Sequence, residues 1–217
     1  MRALPAQTSF IMKPCPAIAL IELTNIASGI KTADAMVKKS PIALLKSGTV
    51  SRGKFLVLIG GTVAAVDEAF CEGLSVAGAN CIDSLMLPDV HPDVFAAAAG
   101  AKIDATDESL GILETASIAA TIDAADAAIK GADVQILEMR LGDGYGGKGY
   151  ALFNGKIEDV QIAMEVAGEI ANRRDAAACV EIIARLHDAT IRQVNGSLRF
   201  NESEQQHLAD GEQDVIG

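Results

Sequence analysis

One stretch of this sequence carries the residue types that nucleotide chemistry uses. Gly142-Asp143-Gly144-Tyr145-Gly146-Gly147-Lys148 satisfies both GxGxxG and GxxxxGK. Both patterns work by presenting backbone N–H groups to a phosphate at a helix N-terminus. Here the residues that follow, Gly149 to Phe153, read as a strand, and Gly149 replaces the Ser or Thr that a magnesium ion would need. A tight glycine-rich loop between two strands is the better reading. Its glycines admit backbone conformations closed to other residues.

The other candidates for chemistry are few. The histidines are His91, His187 and His207, and no Ser-His-Asp or Cys-His set can be assembled around them. Cys15, Cys71, Cys81 and Cys179 form no CxxC pair and match no zinc or iron–sulfur spacing, so no metal and no cofactor is expected. They read as reduced cysteines of a cytosolic protein, the last three as small core hydrophobes. Asp34/Lys38 and Asp126/Lys130 stand at i,i+4 helical spacing. They read as solvated surface pairs, or as lysines that reach across a subunit edge.

An internal repeat determines which elements position these residues. Ile18 to Glu22 overlays Leu110 to Glu114 at an offset of 92 residues. At that offset Ile26 meets Ile118, Ile30 meets Ile122, Ala33-Asp34-Ala35 meets Ala125-Asp126-Ala127, and Lys38 meets Lys130. Two residues are then added, and Gly53-Lys54 meets Gly147-Lys148. His91 and His187 fall at equivalent places near the start of a last short helix, and a repeated position suggests a structural role.

Each copy reads as β-α-β-β-α-β plus a terminal helix. In the first, Ile18 to Leu23, Ile42 to Leu45, Phe55 to Ile59 and Ile82 to Leu87 are short apolar runs suited to strands. Ser28 to Lys39 and Val63 to Ala77 have helical apolar spacing. The second copy repeats the order with Leu110 to Thr115, Thr121 to Lys130, Val134 to Met139, Gly149 to Phe153, Val160 to Ala171 and Cys179 to Ile183. The expected fold class is α/β (α+β): two tandem ferredoxin-like domains, each a four-stranded antiparallel sheet with helices on one face. The chain divides into an N-terminal extension (1–16), domain 1 (17–99), a linker (100–107), domain 2 (108–189) and an acidic polar tail (190–217). That tail is expected to contribute little to the core and to be partly disordered.

Composition excludes several function classes. The formal net charge of the 217 residues is -11, which argues against nucleic-acid partners and anionic membrane surfaces. Pro5, Pro14 and Pro16 interrupt the apolar start, so no signal peptide is expected, and no apolar run approaches a membrane span.

Ile21-Glu22-Leu23-Thr24, Ile26-Ala27, Gly29-Ile30, Ala33-Asp34-Ala35-Met36-Val37-Lys38, Gly53-Lys54 and Leu87-Pro88 with His91 resemble the bacterial microcompartment (BMC) shell domain. The second copy repeats the likeness with Leu113-Glu114-Thr115, Ala124-Ala125-Asp126-Ala127, Lys130, Gly147-Lys148, and Arg185 with His187. Two unpermuted domains in one chain make it similar to the tandem, trimer-forming T-type shell proteins, such as those of propanediol-utilisation shells.

The resemblance implies a structural protein and not an enzyme. It implies a homotrimer that forms a flat pseudohexameric tile beside hexameric and pentameric shell proteins in a cytoplasmic microcompartment. The loops between the second and third strands would line a central pore for polar small metabolites. These are Thr49, Val50, Ser51, Arg52 and Gly53 in copy one, and Asp143, Gly144, Tyr145 and Gly146 in copy two. Lys38, Lys130 and Arg185 fall where the family makes tile-edge contacts, while Asp89 replaces the arginine in copy one. Some relatives place a cysteine at the position of Ser51 and bind a [4Fe–4S] cluster on the trimer axis. A neutral serine is a poor ligand for such a cluster, so that role is not expected here. Two other readings stand beside this one. A soluble trimeric small-molecule-binding or regulatory protein would stay discrete and not form sheets. An enzyme would need a polar constellation in each repeat.

Overall fold

The computed structural model describes residues 16–174, 176–206 and 208. Most of the N-terminal extension, Cys15, His207 and the end of the acidic tail lie outside the described residues.

Domain 1 runs β1 (Ala17–Leu23), α1 (Ile26–Lys39), β2 (Leu44–Thr49), β3 (Phe55–Gly61), α2 (Val63–Ala77), β4 (Cys81–Leu87) and α3 (Pro92–Ala99). Domain 2 repeats this with β5 (Ser109–Thr115), α4 (Ile118–Gly131), β6 (Gln135–Leu141), β7 (Gly149–Gly155), α5 (Ile157–Arg173), β8 (Ala178–Ile183) and α6 (Asp188–Asn195). The sheets have matching antiparallel orders, β2-β3-β1-β4 and β6-β7-β5-β8.

Strand alternation divides the core. On β1 and β3, Ala19, Ile21, Val57 and Ile59 face α1 and α2 and pack with Met36, Val66 and Ala69. Leu20, Leu56 and Leu58 point to the opposite face, where α3 supplies Val94 and Phe95. The two long helices therefore share one face as expected, and the short third helix lies on the other side, packed against β6 and α4 of the second domain. Gly73 lets α2 sit close on the sheet: a Cβ there would stand 2.7 Å from both Ile21 and Met36.

Helix starts carry side-chain caps. Asn25 accepts the Ser28 N–H at 2.9 Å, and Ser117 accepts the Ala120 N–H at 3.2 Å. These caps start α1 and α4 two to three residues earlier than the apolar spacing suggests. Strand β2 also differs from expectation, lying at Leu44–Thr49 and not at Ile42 to Leu45. Its residues Lys46-Ser47-Gly48 are polar because β2 is a sheet edge, held by its ladder to β3.

The tail needs a correction. Helix α6 crosses the expected boundary at 189, and Val194 is buried with Leu110, Leu137, Leu152 and Leu186. The Asn195 side chain accepts the Ala105 N–H at 2.6 Å. The start of the tail thus completes the second domain's core, although its composition is polar. No helix among the described residues is long and apolar enough to cross a membrane.

Candidate functional site

The strand connections β2–β3 and β6–β7 come together in one chain. Thr49 ends β2 and pairs with Phe55. Val50 donates its N–H to the Lys54 carbonyl at 3.0 Å, and Ser51 to Gly53 form one 3-10 turn. Arg52 sits in the left-handed region at φ 65°. In the second connection Gly142, Gly144, Gly146 and Gly147 all have positive φ, so the glycine-rich sequence meets a backbone requirement. The loops are stitched together: Ser51 donates its N–H to the Gly142 carbonyl at 3.1 Å, and its hydroxyl accepts the Gly144 N–H at 2.8 Å.

Tyr145 lies edge-on to Tyr150, with centroids 5.2 Å apart. Burial and the nearby Glu138 carboxylate push the Tyr150 phenol well above its ordinary range. From the tail, Arg199 reaches Asp143 at 3.3 Å.

The nucleotide patterns do not form a site. Gly149 opens a strand, and Lys148 pairs with Glu114 at 2.6 Å. An iron–sulfur cluster does not fit the loops either. Ser51 already accepts a backbone N–H, while Cys71 lies on α2, Cys81 at the start of β4 and Cys179 on β8.

The junction between the domains uses residues that sequence reasoning did not single out. Buried Glu22 accepts the Lys54 ammonium at 2.5 Å and the Ile118 N–H at 3.1 Å. A carboxylate at the first turn of α4 also suits the helix dipole. Arg174 joins Asp83 at 2.7 Å, Asp123 at 3.0 Å and the Ser84 carbonyl at 2.6 Å. The repetition of Glu22 as Glu114 and of Lys54 as Lys148 was the available signal. For Arg174 the sequence has none.

The two Asp/Lys pairs have different surroundings. Lys38 and Asp34 pair at 2.6 Å in the open, with the lysine side chain 72% exposed. Asp126 is buried, holds Lys130 at 2.7 Å and accepts the His91 N–H at 2.8 Å. Lys130 also donates to the Asp89 carbonyl. Arg185 follows β8 and is exposed. The histidines act as helix caps: Nδ1 of His91 accepts the Asp93 N–H at 3.3 Å, and Nδ1 of His187 accepts the Ala189 N–H at 3.1 Å.

Comparison with known proteins agrees with this architecture. The BMC domain family model matches residues 17–90 and again 109–186. The chain is 40% identical over 178 residues to the bacterial microcompartment shell protein PduT of Citrobacter freundii, covering 82% of this chain and 97% of that protein. It is 29% identical over 185 residues to the carboxysome assembly protein CcmO of a Synechocystis strain, covering 78% of this chain and 61% of that protein. A crystal structure of a microcompartment protein from Desulfitobacterium hafniense superposes with a TM-score of 0.72 at 38% identity, covering 81% of this chain and 98% of the other. Two sequence copies, two matching sheets and two family matches coincide, and the chain belongs to the BMC domain family as a tandem of two such domains.

Proposed function

We propose that this protein is a structural tile of a bacterial microcompartment shell, formed when three chains close into a pseudohexameric ring. The observation that carries this reading is an imbalance of exposure between matched positions. Ile118 and Ile122 on α4 are fully buried, whereas their counterparts on α1, Ile26 and Ile30, are 44% and 59% exposed. Helix α4 is covered because it packs on β4 and β1 of domain 1. Among the described residues the equivalent face of α1 has no such cover.

A second copy of the chain supplies the missing cover. Its domain 2 offers β8 and β5, with Ile183 exposed at the position that matches Leu87 of β4. Fully burying an isoleucine side chain is worth about 1.5–3 kcal/mol, and less for one already half covered. Polar groups match in the same way. Glu114 would receive the N-terminus of the partner's α1 as Glu22 receives that of α4. Asp34 would accept the N–H of His187 of the partner subunit as Asp126 accepts that of His91. Repeating one junction geometry from domain to domain gives a closed cyclic assembly, and the BMC family match favours six domains, hence three chains.

In such a ring the stitched loops surround the central opening. Thr49, Val50, Ser51, Arg52 and Gly53 would alternate with Asp143, Gly144, Tyr145 and Gly146, giving threefold chemistry. Polar small metabolites would meet hydroxyls and backbone N–H groups there, with selectivity set by diameter, donors and charge. Lys38, Lys130 and Arg185 would stand on the outer edges, facing hexameric and pentameric shell proteins. Light scattering on the purified protein tests the ring. A mass of three chains supports it, and a stable monomer or dimer overturns it.

A further inference from the structure

A cavity of about 290 Å³ lies at the junction of the two domains, on the face of the first sheet that carries α3. That places it at the small end of ligand-sized cavities, which span about 300–1,000 Å³. Leu20, Leu56 and Leu58 line it from domain 1, and Met139 and Leu141 from β6.

The cavity exists because the domains differ at one cross-strand pair. In domain 2, Arg140 sits directly opposite Tyr150. The matching pair in domain 1 is Gly48 and Leu56. Two large polar side chains in one domain are thus replaced by one aliphatic chain and no side chain in the other. A Cβ added at Gly48 would meet nothing within 4 Å.

Among the described residues Lys46, Arg140, Arg199 and one carboxylate, Asp143, line the cavity, while Glu138 beside Arg140 and Glu202 beside Arg199 stand outside the lining. Lys46 donates to the carbonyls of Ala98 at 3.3 Å and Ala99 at 3.1 Å, which leaves the third hydrogen of its ammonium. Among the described residues Arg140 donates only its Nε–H, to Glu138, so the terminal nitrogens of its fork are free for a ligand. Arg199 comes from the tail, beyond residue 186 where the family match ends, and its contacts with Asp143 at 3.3 Å and Glu202 at 3.5 Å are both long.

We propose that this cavity binds a small organic anion. Its carboxylate or phosphate is held by Arg140, Arg199 and Lys46, and its short apolar chain lies on Leu20, Leu56 and Leu58. Charge-assisted bonds from a guanidinium fork orient the anionic head, and the leucines select against small hydrophilic anions. The site lies within one chain and shares Thr49, Val50, Asp143 and Tyr145 with the proposed pore loops; binding is read by calorimetry and ring formation by mass, so the failure of one is distinguishable from the failure of the other.

Isothermal titration calorimetry on the full chain tests this, with hexanoate and hexyl phosphate as probes and hexan-1-ol as the neutral control. The expected result is saturable binding of at least one anion at one site per chain, with hexanol at least tenfold weaker. Binding of one anion and not the other identifies the head group. Arg199→Ala should weaken binding at least tenfold, and Gly48→Phe should abolish it by filling the cavity, with oligomeric state and Tm retained. Should Gly48→Phe fail to fold, Arg140→Gln must show the tenfold loss in its place. Absence of saturable binding by either anion at millimolar concentration overturns the proposal. So does equal affinity for hexanol, or binding unchanged in the folded variants.

Discussion

Asp126 accepts the backbone N–H of His91 at 2.8 Å, a bond that ties the second domain to the first. Asp34, at the same place in domain 1, holds only Lys38 among the described residues. The two aspartates should therefore respond differently to substitution. Asp126→Ala leaves the half-buried His91 N–H unpaired, at a cost of about 1 kcal/mol or more. With a shift of about 2–4 °C per kcal/mol for a chain of this size, thermal denaturation should show a clear fall in Tm. Asp34→Ala should leave the unfolding of the single chain nearly unchanged and weaken association, read as dissociation at higher protein concentration in light scattering. Equal effects of the two substitutions on both readouts would contradict the shared-junction argument.

The same logic applies to the isoleucines. Ile122→Asp places an uncompensated carboxylate in a fully buried site and should prevent recovery of folded protein. Ile30→Asp, at the matched but exposed position, should yield a folded monomer with native far-UV circular dichroism. A trimeric Ile30→Asp variant would show that this face of α1 is not the subunit contact.

Edge packing can be separated from ring closure. Lys38 pairs in the open, with its side chain 72% exposed, so Lys38→Ala should change stability by no more than about 1 kcal/mol, whereas Lys130→Ala also unpairs the buried Asp126 and should lower Tm further. The double variant should remain a trimer yet lose ordered sheets under negative-stain electron microscopy. Arg185→Ala should act in the same direction. Normal sheets in both variants would remove these three residues from the tile edge.

The protein should be colourless when purified without oxygen, with no stoichiometric iron, because the Ser51 hydroxyl is a poor iron–sulfur ligand and is held by Gly144. A broad visible absorbance with bound iron would contradict this. In intact shells Tyr145→Ala should raise leakage of small polar metabolites, measured as loss of an encapsulated substrate. Unchanged leakage would leave Tyr145 with only its packing against Tyr150.

Most of the fold was legible because its signals are local. Apolar periodicity marked the strands and long helices, and the repeated Ala-Asp-Ala and Gly-Lys segments marked the duplication. The four glycines of the β6–β7 loop announced their positive φ values, since few other residues tolerate that conformation. The edge strand β2 and helix α6 were less legible. Both are held by neighbours more than by their own composition: β2 by its ladder to β3, and α6 by Val194 and Asn195 docking on distant residues.

What the sequence determined by itself was the pair of domains, their strand order and the identity of the loop residues. It could not separate Ile26 from Ile118, or Asp34 from Asp126, because each pair is the same residue in the same repeat. Tertiary structure separated them: in each pair one member meets the other domain of its chain, and its twin remains on the surface. Burial at a junction belongs to two surfaces brought together from far along the chain, so no pattern within either repeat can encode which copy is covered.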